Sequence, residues 1–212
     1  MTTDPTAGQP FDWADELAEQ LDWHWRTFVR PRLDGLEDTE YFWEPVAGCW
    51  SIRHRALSTV AQTFGTGDFV LEHPRRAPQP PPLTTIAWRL AHLAVGVFGK
   101  RASSHFGFRG GGFREETADY PGTAAGSLAL LDETYQAWLG GVRALDAGGL
   151  LAPVGPAEGP FAESPMAGLV LHINREALHH GAEVLLLRDL YRTSDSGRVF
   201  TAVQPTTEGT NR

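Results

Sequence analysis

Large apolar side chains recur at helical spacing in four stretches of the chain, separated by segments rich in Pro and Gly. In the first stretch Leu17, Leu21, His24 and Phe28 share one stripe, and Asp12, Asp15 and Glu16 suit a helix N-terminus. This predicts a helix from about Asp12 to Arg32, loosened at its end by Pro31. The second stretch, Thr84 to about Ser104, is apolar or small on nearly every side apart from Arg89, His92 and Lys100-Arg101, so it is predicted to be the most buried. The third, Thr123 to about Asp146, carries Leu128, Leu131, Tyr135, Trp138 and Val142 on one stripe. For the fourth, Ser164 before Pro165 reads as an N-cap followed by Pro at the first helical position, and the pattern then runs to about Arg192.

Between the first and second helices, Asp34 to Pro82 changes character. Pro45, Gly48, Gly65, Gly67 and the run Pro78–Pro82 punctuate short aromatic stretches such as Tyr41-Phe42-Trp43. A connection of this length crosses over a bundle rather than turning tightly, has room for a short helix, and commonly covers a site. Gly-rich and Pro-rich segments at Arg109–Gly112, Gly148-Gly149 and Pro153–Pro160 form the other connections. With no convincing alternating strand pattern and no internal repeat, the fold class is all-α: a four-helix bundle with a long first crossover. It is expected to occupy residues 11–193 as one domain, between disordered tails at residues 1–10 and 194–212.

Composition narrows the function. Against 18 Lys and Arg stand 26 Asp and Glu, a net charge of −8. Clustered basic residues, which phosphate backbones require, are missing; the short run Pro74-Arg75-Arg76 sits in a proline-rich loop, and no nucleic-acid partner is expected. The two most apolar stretches, Ile86–Phe98 and Leu169–Leu187, are interrupted by charge, so no membrane span is expected. The single Cys49 fits a reducing compartment, and MTTDPTAGQP has neither the basic nor the apolar region of a signal peptide. Both point to the cytoplasm.

The chemistry concentrates in LVLHINREALHHGAEVLLL, residues Leu169–Leu187. The apolar stripe of that helix centres on Met166, Ile173, Ala177, Val184 and Tyr191, and His180 falls almost on it. Glu176 lies about 60° off the centre, His172 about 100° and His179 about 120°. Only Glu176 and His180, spaced i, i+4, should look into the bundle together. A buried carboxylate needs a partner, and a metal ion shared with His180 would provide one. Taken alone the pair is also the spacing of a Glu–His hydrogen bond or of an exposed polar patch. His92, flanked by Ala91, Leu93, Ala94 and Val95 on the second helix, changes this by offering a third donor. Gly96 and Gly99 share its face and leave room for a close helix or a ligand. Two nitrogens and one oxygen suit a divalent metal ion, zinc first, with nickel and ferrous iron as alternatives, and three protein ligands leave positions open.

The pieces TTIAWRLAHL (Thr84–Leu93) and HINREALHHGAEVLLLRDLYR (His172–Arg192) resemble the DinB-like superfamily of metal-binding four-helix bundles. The likeness extends weakly to DWHWRTFVRPRLDGL and WEPVAGCW. Members carry one metal-ligating histidine on the second helix and two ligands four residues apart on the fourth, which implies His92, Glu176 and His180 here. Many have histidine where this chain has Glu176. That departure is similar to the His/Glu/His branch containing mycothiol-dependent maleylpyruvate isomerase. The resemblance implies metal dependence, a low-molecular-weight thiol, often a homodimer, and transferase or isomerase chemistry on a small-molecule substrate. A metal-assisted hydrolase, or a non-catalytic metal or small-molecule binding module, fits the same residues.

Other candidates are weaker. His24 is either a core histidine or a further ligand, and His172 is placed to support Glu176. Arg89 could bind a substrate carboxylate or pair with Glu183. Asn174 and Arg175 face away on the helical wheel. Cys49 is a nucleophile only if something activates it, and His54, His73 and His105 carry no spacing signal. Trp13, Trp23, Trp25 and Trp138 are expected to pack, whereas Trp43, Trp50 and Trp88 could line a pocket.

Overall fold

The computed structural model describes residues 11–73 and 79–194. Both expected tails lie outside these residues except for Ser194, which is buried as the C-cap of the last helix, and so do Pro74-Arg75-Arg76. The first long helix comprises α1 (Trp13–His24), a π segment (Trp25–Val29) and a 3-10 turn (Arg30–Leu33). Asp12 caps it, accepting from the Ala14 and Asp15 amides at 3.0 and 3.1 Å. Pro31 has no N–H to give to the carbonyl four residues back, and the helix tightens and ends within one turn. The buried face is Ala14, Ala18, Leu21, Trp25 and Val29, while Phe28, Trp13 and Trp23 are exposed. The stripe expected through His24 and Phe28 was therefore turned from the true core face, and two of the expected packing tryptophans lie at the surface. Small Ala14 and Ala18, which carry little weight in a hydrophobic pattern, are what let the helix approach its neighbours.

The crossover holds α2 (Asp38–Tyr41) and three short strands, β1 (Ile52–His54), β2 (Thr63–Phe64) and β3 (Phe69–Glu72). They form an antiparallel sheet in the order β1-β3-β2, with Leu71 opposite both Ile52 and Phe64. Strands this short offer too few alternations to be read from sequence. The sheet is anchored beside the second helix. Trp88 Nε1 donates to the Glu72 carbonyl at 2.8 Å, and Trp50 exchanges backbone hydrogen bonds of 2.9 Å with Leu83 and Thr85.

The second long helix runs as α3 (Ile86–Ala91), a π segment (His92–Gly99) and α4 (Lys100–Phe106). Thr85 caps its start through the Trp88 amide, and Gly107, at φ 73°, ends it in the left-handed conformation that glycine adopts without strain. The third helix, α5 (Ala124–Arg143), stops short of Asp146, because Asp146 instead caps the following short α6 (Ala147–Leu151). The fourth, α7 (Met166–Thr193), starts one residue later than expected. The Ser164 carbonyl accepts from the Val154 amide and Pro165 pairs with Pro153 in an isolated bridge, so the segment before Met166 is extended.

The first helix packs on the third and fourth, and the second on the same two, which makes the all-α bundle. At its centre Trp25 stacks on Tyr135 at 4.9 Å and meets the edge of Phe98 at 5.6 Å. Among the described residues no helix is long and apolar enough to cross a membrane.

Candidate metal centre

The second helix and α7 face each other at His92 and His180, whose rings lie 4.8 Å apart and nearly perpendicular (85°). One turn back along α7, Glu176 Oε2 stands 3.3 Å from His180 Nε2. One donor atom from each of His92, Glu176 and His180 lies within 4.8 Å of the others. Local folding explains the convergence. The i, i+4 spacing puts Glu176 and His180 on one face of α7, and His92 opens the π segment, a widened turn that recurs at functional sites.

The electrostatics suit cation binding. Burial pushes the His92 imidazolium down to a pKa of about 3, and the nearby His180 and Arg89 push the same way. His92 is therefore neutral, with a lone pair to donate. Trp88 stacks on it at 5.2 Å and 21°, closing the apolar side. Among the described residues no Lys or Arg pairs with Glu176; its ion-pair neighbours are His180 and, at 3.7 Å, His172. Two imidazoles and an otherwise uncompensated carboxylate, drawn from two rigid helices, fit a divalent ion.

Behind these donors stands a second set of groups. His180 Nδ1 is 2.7 Å from Glu183 Oε2. A carboxylate can only accept there, and its contact is much shorter than the 3.3 Å approach of Arg89 Nη1 to the same nitrogen, so Nδ1 carries the proton and Nε2 is left to face Glu176. Arg89 Nε holds the same Glu183 oxygen at 3.1 Å, and its guanidinium lies over Trp88. Burial pulls the Arg89 pKa down and Glu183 opposes that shift. Of the two roles open to Arg89, the structure displays the pairing with Glu183. On the second helix, Gly96 keeps a space clear: a Cβ there would meet Glu115 Oε1 at 2.7 Å and His92 Nδ1 at 3.0 Å. The room left by Gly96 and Gly99 is filled by the loop after Gly107, through Glu115 and Phe113, and not by a helix.

A second donor group, His179, His180 and Glu183, is also close enough to hold an ion. It shares His180, draws on one exposed face of a single helix, and would have to break the His180–Glu183 hydrogen bond. The His179 side chain is 65% exposed against 12% for His180, so the inward triad is the better site.

The remaining candidates separate cleanly. His24 lies against Phe28 at 5.4 Å and is in neither donor group. His172 approaches Glu176 only at ion-pair distance and takes its closer contact, 2.9 Å, from Arg175. Asn174 is buried and structural, donating to the Leu17 carbonyl at 2.9 Å. Cys49 is buried beside the Val46 carbonyl, and burial pushes its thiol up, opposite to an activated nucleophile. Of the three tryptophans expected at a pocket, Trp88 lies on His92 and Trp50 near Trp88, whereas Trp43 packs against Tyr191. Sequence reasoning missed the orienting role of Glu183, though the spacing E-x-x-x-H-x-x-E puts it on the His180 face. Glu115 lies in a loop and left no signal.

No curated protein and no solved structure matches the chain. The profile of the DinB superfamily, however, matches residues 20–184, a span that contains the whole of the donor triad and most of all four long helices. With that match over most of its length and the helical bundle described above, the chain belongs to the DinB superfamily.

Proposed function

We propose that His92, Glu176 and His180 hold a divalent metal ion, zinc first and nickel or ferrous iron as alternatives. On this reading the protein is a metal-dependent enzyme that uses a low-molecular-weight thiol of the mycothiol type on a small electrophilic substrate. The observation that carries it is the convergence of two imidazoles and one carboxylate within 4.8 Å, with His92 held neutral by burial. The His/Glu/His donor set supports the thiol-dependent branch over members with three histidines. When bound, the ion supplies Lewis acidity that favours the thiolate of a thiol near neutral pH. The chain's own residues orient and exclude: Glu183 fixes the His180 ring, Arg89 holds Glu183 in place at 3.1 Å, and Trp88 walls off one side of His92. The thiol comes from solution, since Cys49 is buried with a raised pKa. A homodimer belongs to the same reading, supported by the exposed apolar side chains Trp13, Leu171 and Leu178 on adjoining parts of the first and fourth helices.

The test is to load the protein with each metal and mix it with mycothiol and a panel of electrophiles. Turnover that needs both metal and thiol supports the proposal. Turnover without thiol moves the assignment to metal-assisted hydrolysis, and none across all metals and thiols overturns the enzyme reading.

A further inference from the structure

One helical turn from the donor triad, a groove of about 690 Å³ runs between α4, the 3-10 segment Pro156–Phe161 and the first half of α7. Its size is that of a small-molecule site. Two links tie it to the candidate metal centre. His172, which lines it, is 3.7 Å from Glu176, and Arg101, which also lines it, donates through Nη1 to the carbonyl of Gly96, the residue that makes room beside His92.

The lining is cationic in a chain of net charge −8: Lys100, Arg101 and Arg175 stand against the single acid Glu158. Nor are these cations fully engaged. Arg175 has no carboxylate within ion-pair distance among the described residues, and its Nη2 rests against His172 Nδ1 at 2.9 Å. Lys100 reaches Glu115 only at 3.8 Å. Arg101 meets Glu158 at 3.5 Å, but the other oxygen of Glu158 is held by His105 at 3.0 Å. The Nε of Arg101 is buried with no hydrogen-bond partner among the described residues. A buried donor left unmade is costly, and an acceptor on a ligand would relieve it once the Arg101 side chain turns towards the groove. Apart from Ser164 and His172 the rest of the wall, including Val154, Phe161, Pro165 and Leu169, is apolar.

We propose that this groove binds the carboxylate and adjoining carbon skeleton of a small amphipathic acid, held by Arg101 and Arg175, so that its other end reaches the metal centre. The inference deepens the functional reading by naming a substrate class, and rests on that reading only for what happens at the far end of the ligand. A monoanion is favoured over a phosphate dianion because Glu158 and Glu115 already offset part of the positive charge.

The experiment is calorimetric titration at neutral pH and fixed ionic strength with hexanoate, hexanol and hexyl phosphate. It is run on the metal-loaded protein, the chelator-stripped protein, and the variants Arg175→Gln, Arg101→Gln and His180→Ala. Hexanoate should bind the wild-type protein at least about tenfold more tightly than hexanol, and Arg175→Gln should weaken it about tenfold, the cost of a charge-assisted hydrogen bond. Arg175 is exposed, so its variant keeps the fold even if Arg101→Gln disturbs the Glu158 segment. Binding that ignores both arginine variants, or that is equal for hexanoate and hexanol, overturns the proposal. So does tighter binding of hexyl phosphate. If hexanoate is lost on stripping and in His180→Ala but not in Arg175→Gln, the acid is bound by the ion alone: the groove fails and the metal reading stands. If no metal binds yet Arg175→Gln still weakens hexanoate, the metal reading fails and the groove stands.

Discussion

Glu183 accepts a hydrogen bond of 2.7 Å from His180 Nδ1, on the ring nitrogen opposite the one that faces Glu176. A carboxylate in this position fixes tautomer and ring orientation together, and such partners of metal-binding histidines contribute about 10–100-fold in affinity. Glu183→Ala should therefore weaken metal binding within that range, measured by competition with a chromophoric chelator. Glu183→Gln keeps an acceptor but loses the charge, and should fall in between. Wild-type affinity in the alanine variant would show that packing alone orients His180.

His180→Ala removes a donor outright, and should cost more than the loss of its support, about 100-fold or beyond. His179→Ala should leave the affinity near wild type, because that side chain is 65% exposed and outside the inward triad. The same chelator competition separates the two. Equal losses would favour the alternative group of His179, His180 and Glu183.

The ranking of the histidines on α7 was legible because a single uninterrupted α-helix obeys one period over its length. Ile173, Ala177 and Val184 are buried where that period puts them, and His180 follows. The first helix was read out of phase. Its core face is built on Ala14, Ala18 and Trp25, which leaves His24 only half-buried, and a π segment shifts the register just after it, leaving Phe28 exposed. Strands of two to four residues are beneath what alternation can reveal, so the sheet that seats Trp88 against Glu72 came only from the fold. The groove cations, likewise, come from two helices distant in sequence, Lys100 and Arg101 on α4 and Arg175 on α7. Arg175, which faces away on a helical wheel, reaches the groove because its long side chain turns back to His172.

His92 makes the stability of the metal-free protein depend on pH. Its folded pKa, about 3, lies well below the value near 6.5 of an exposed histidine. Between these the unfolded chain binds a proton that the folded one does not, so stability falls as the pH drops from about 6.5 towards 3 and is insensitive to His92 above that window. Other groups titrate in the same range, so the measure is the difference in melting temperature between wild type and His92→Gln across pH. That difference should shrink on acidification, and a constant one would mean that His92 is charged in the fold.

Gly96→Ala should impair the centre without replacing a donor. The added methyl would stand 3.0 Å from His92 Nδ1 and 2.7 Å from Glu115 Oε1. The Glu115 carboxylate ends a flexible side chain and can retreat, whereas His92 is pinned by the Trp88 ring. A loss of about 1 kcal/mol in stability is expected from overpacking. Chelator competition should show a clear loss of metal affinity beside it. Unchanged affinity with normal stability would place His92 in a looser setting than Trp88 and Gly96 suggest.

Arg188 ties the end of α7 to the crossover and offers a test of the fold apart from the centre. It is 1% exposed, meets both oxygens of Glu40 at 2.6 and 3.0 Å, and donates to the carbonyls of Arg32 and Asp34. One buried cation thus satisfies α2, the end of the first helix and α7 together. Arg188→Met would leave Glu40, 4% exposed, as an unpaired buried carboxylate, at a cost of about 3–5 kcal/mol in denaturant unfolding. The double variant Arg188→Met/Glu40→Leu should recover much of that loss, because the penalty comes from the stranded charge and not from the missing pair. Arg188 lies two turns beyond His180, so metal affinity of the folded fraction should stay at the wild-type value. Full recovery with intact metal binding would mean that the ion pair sets where the crossover docks and adds little net stability. A double variant as unstable as the single one would instead assign the stability to the arginine's bonds with the Arg32 and Asp34 carbonyls.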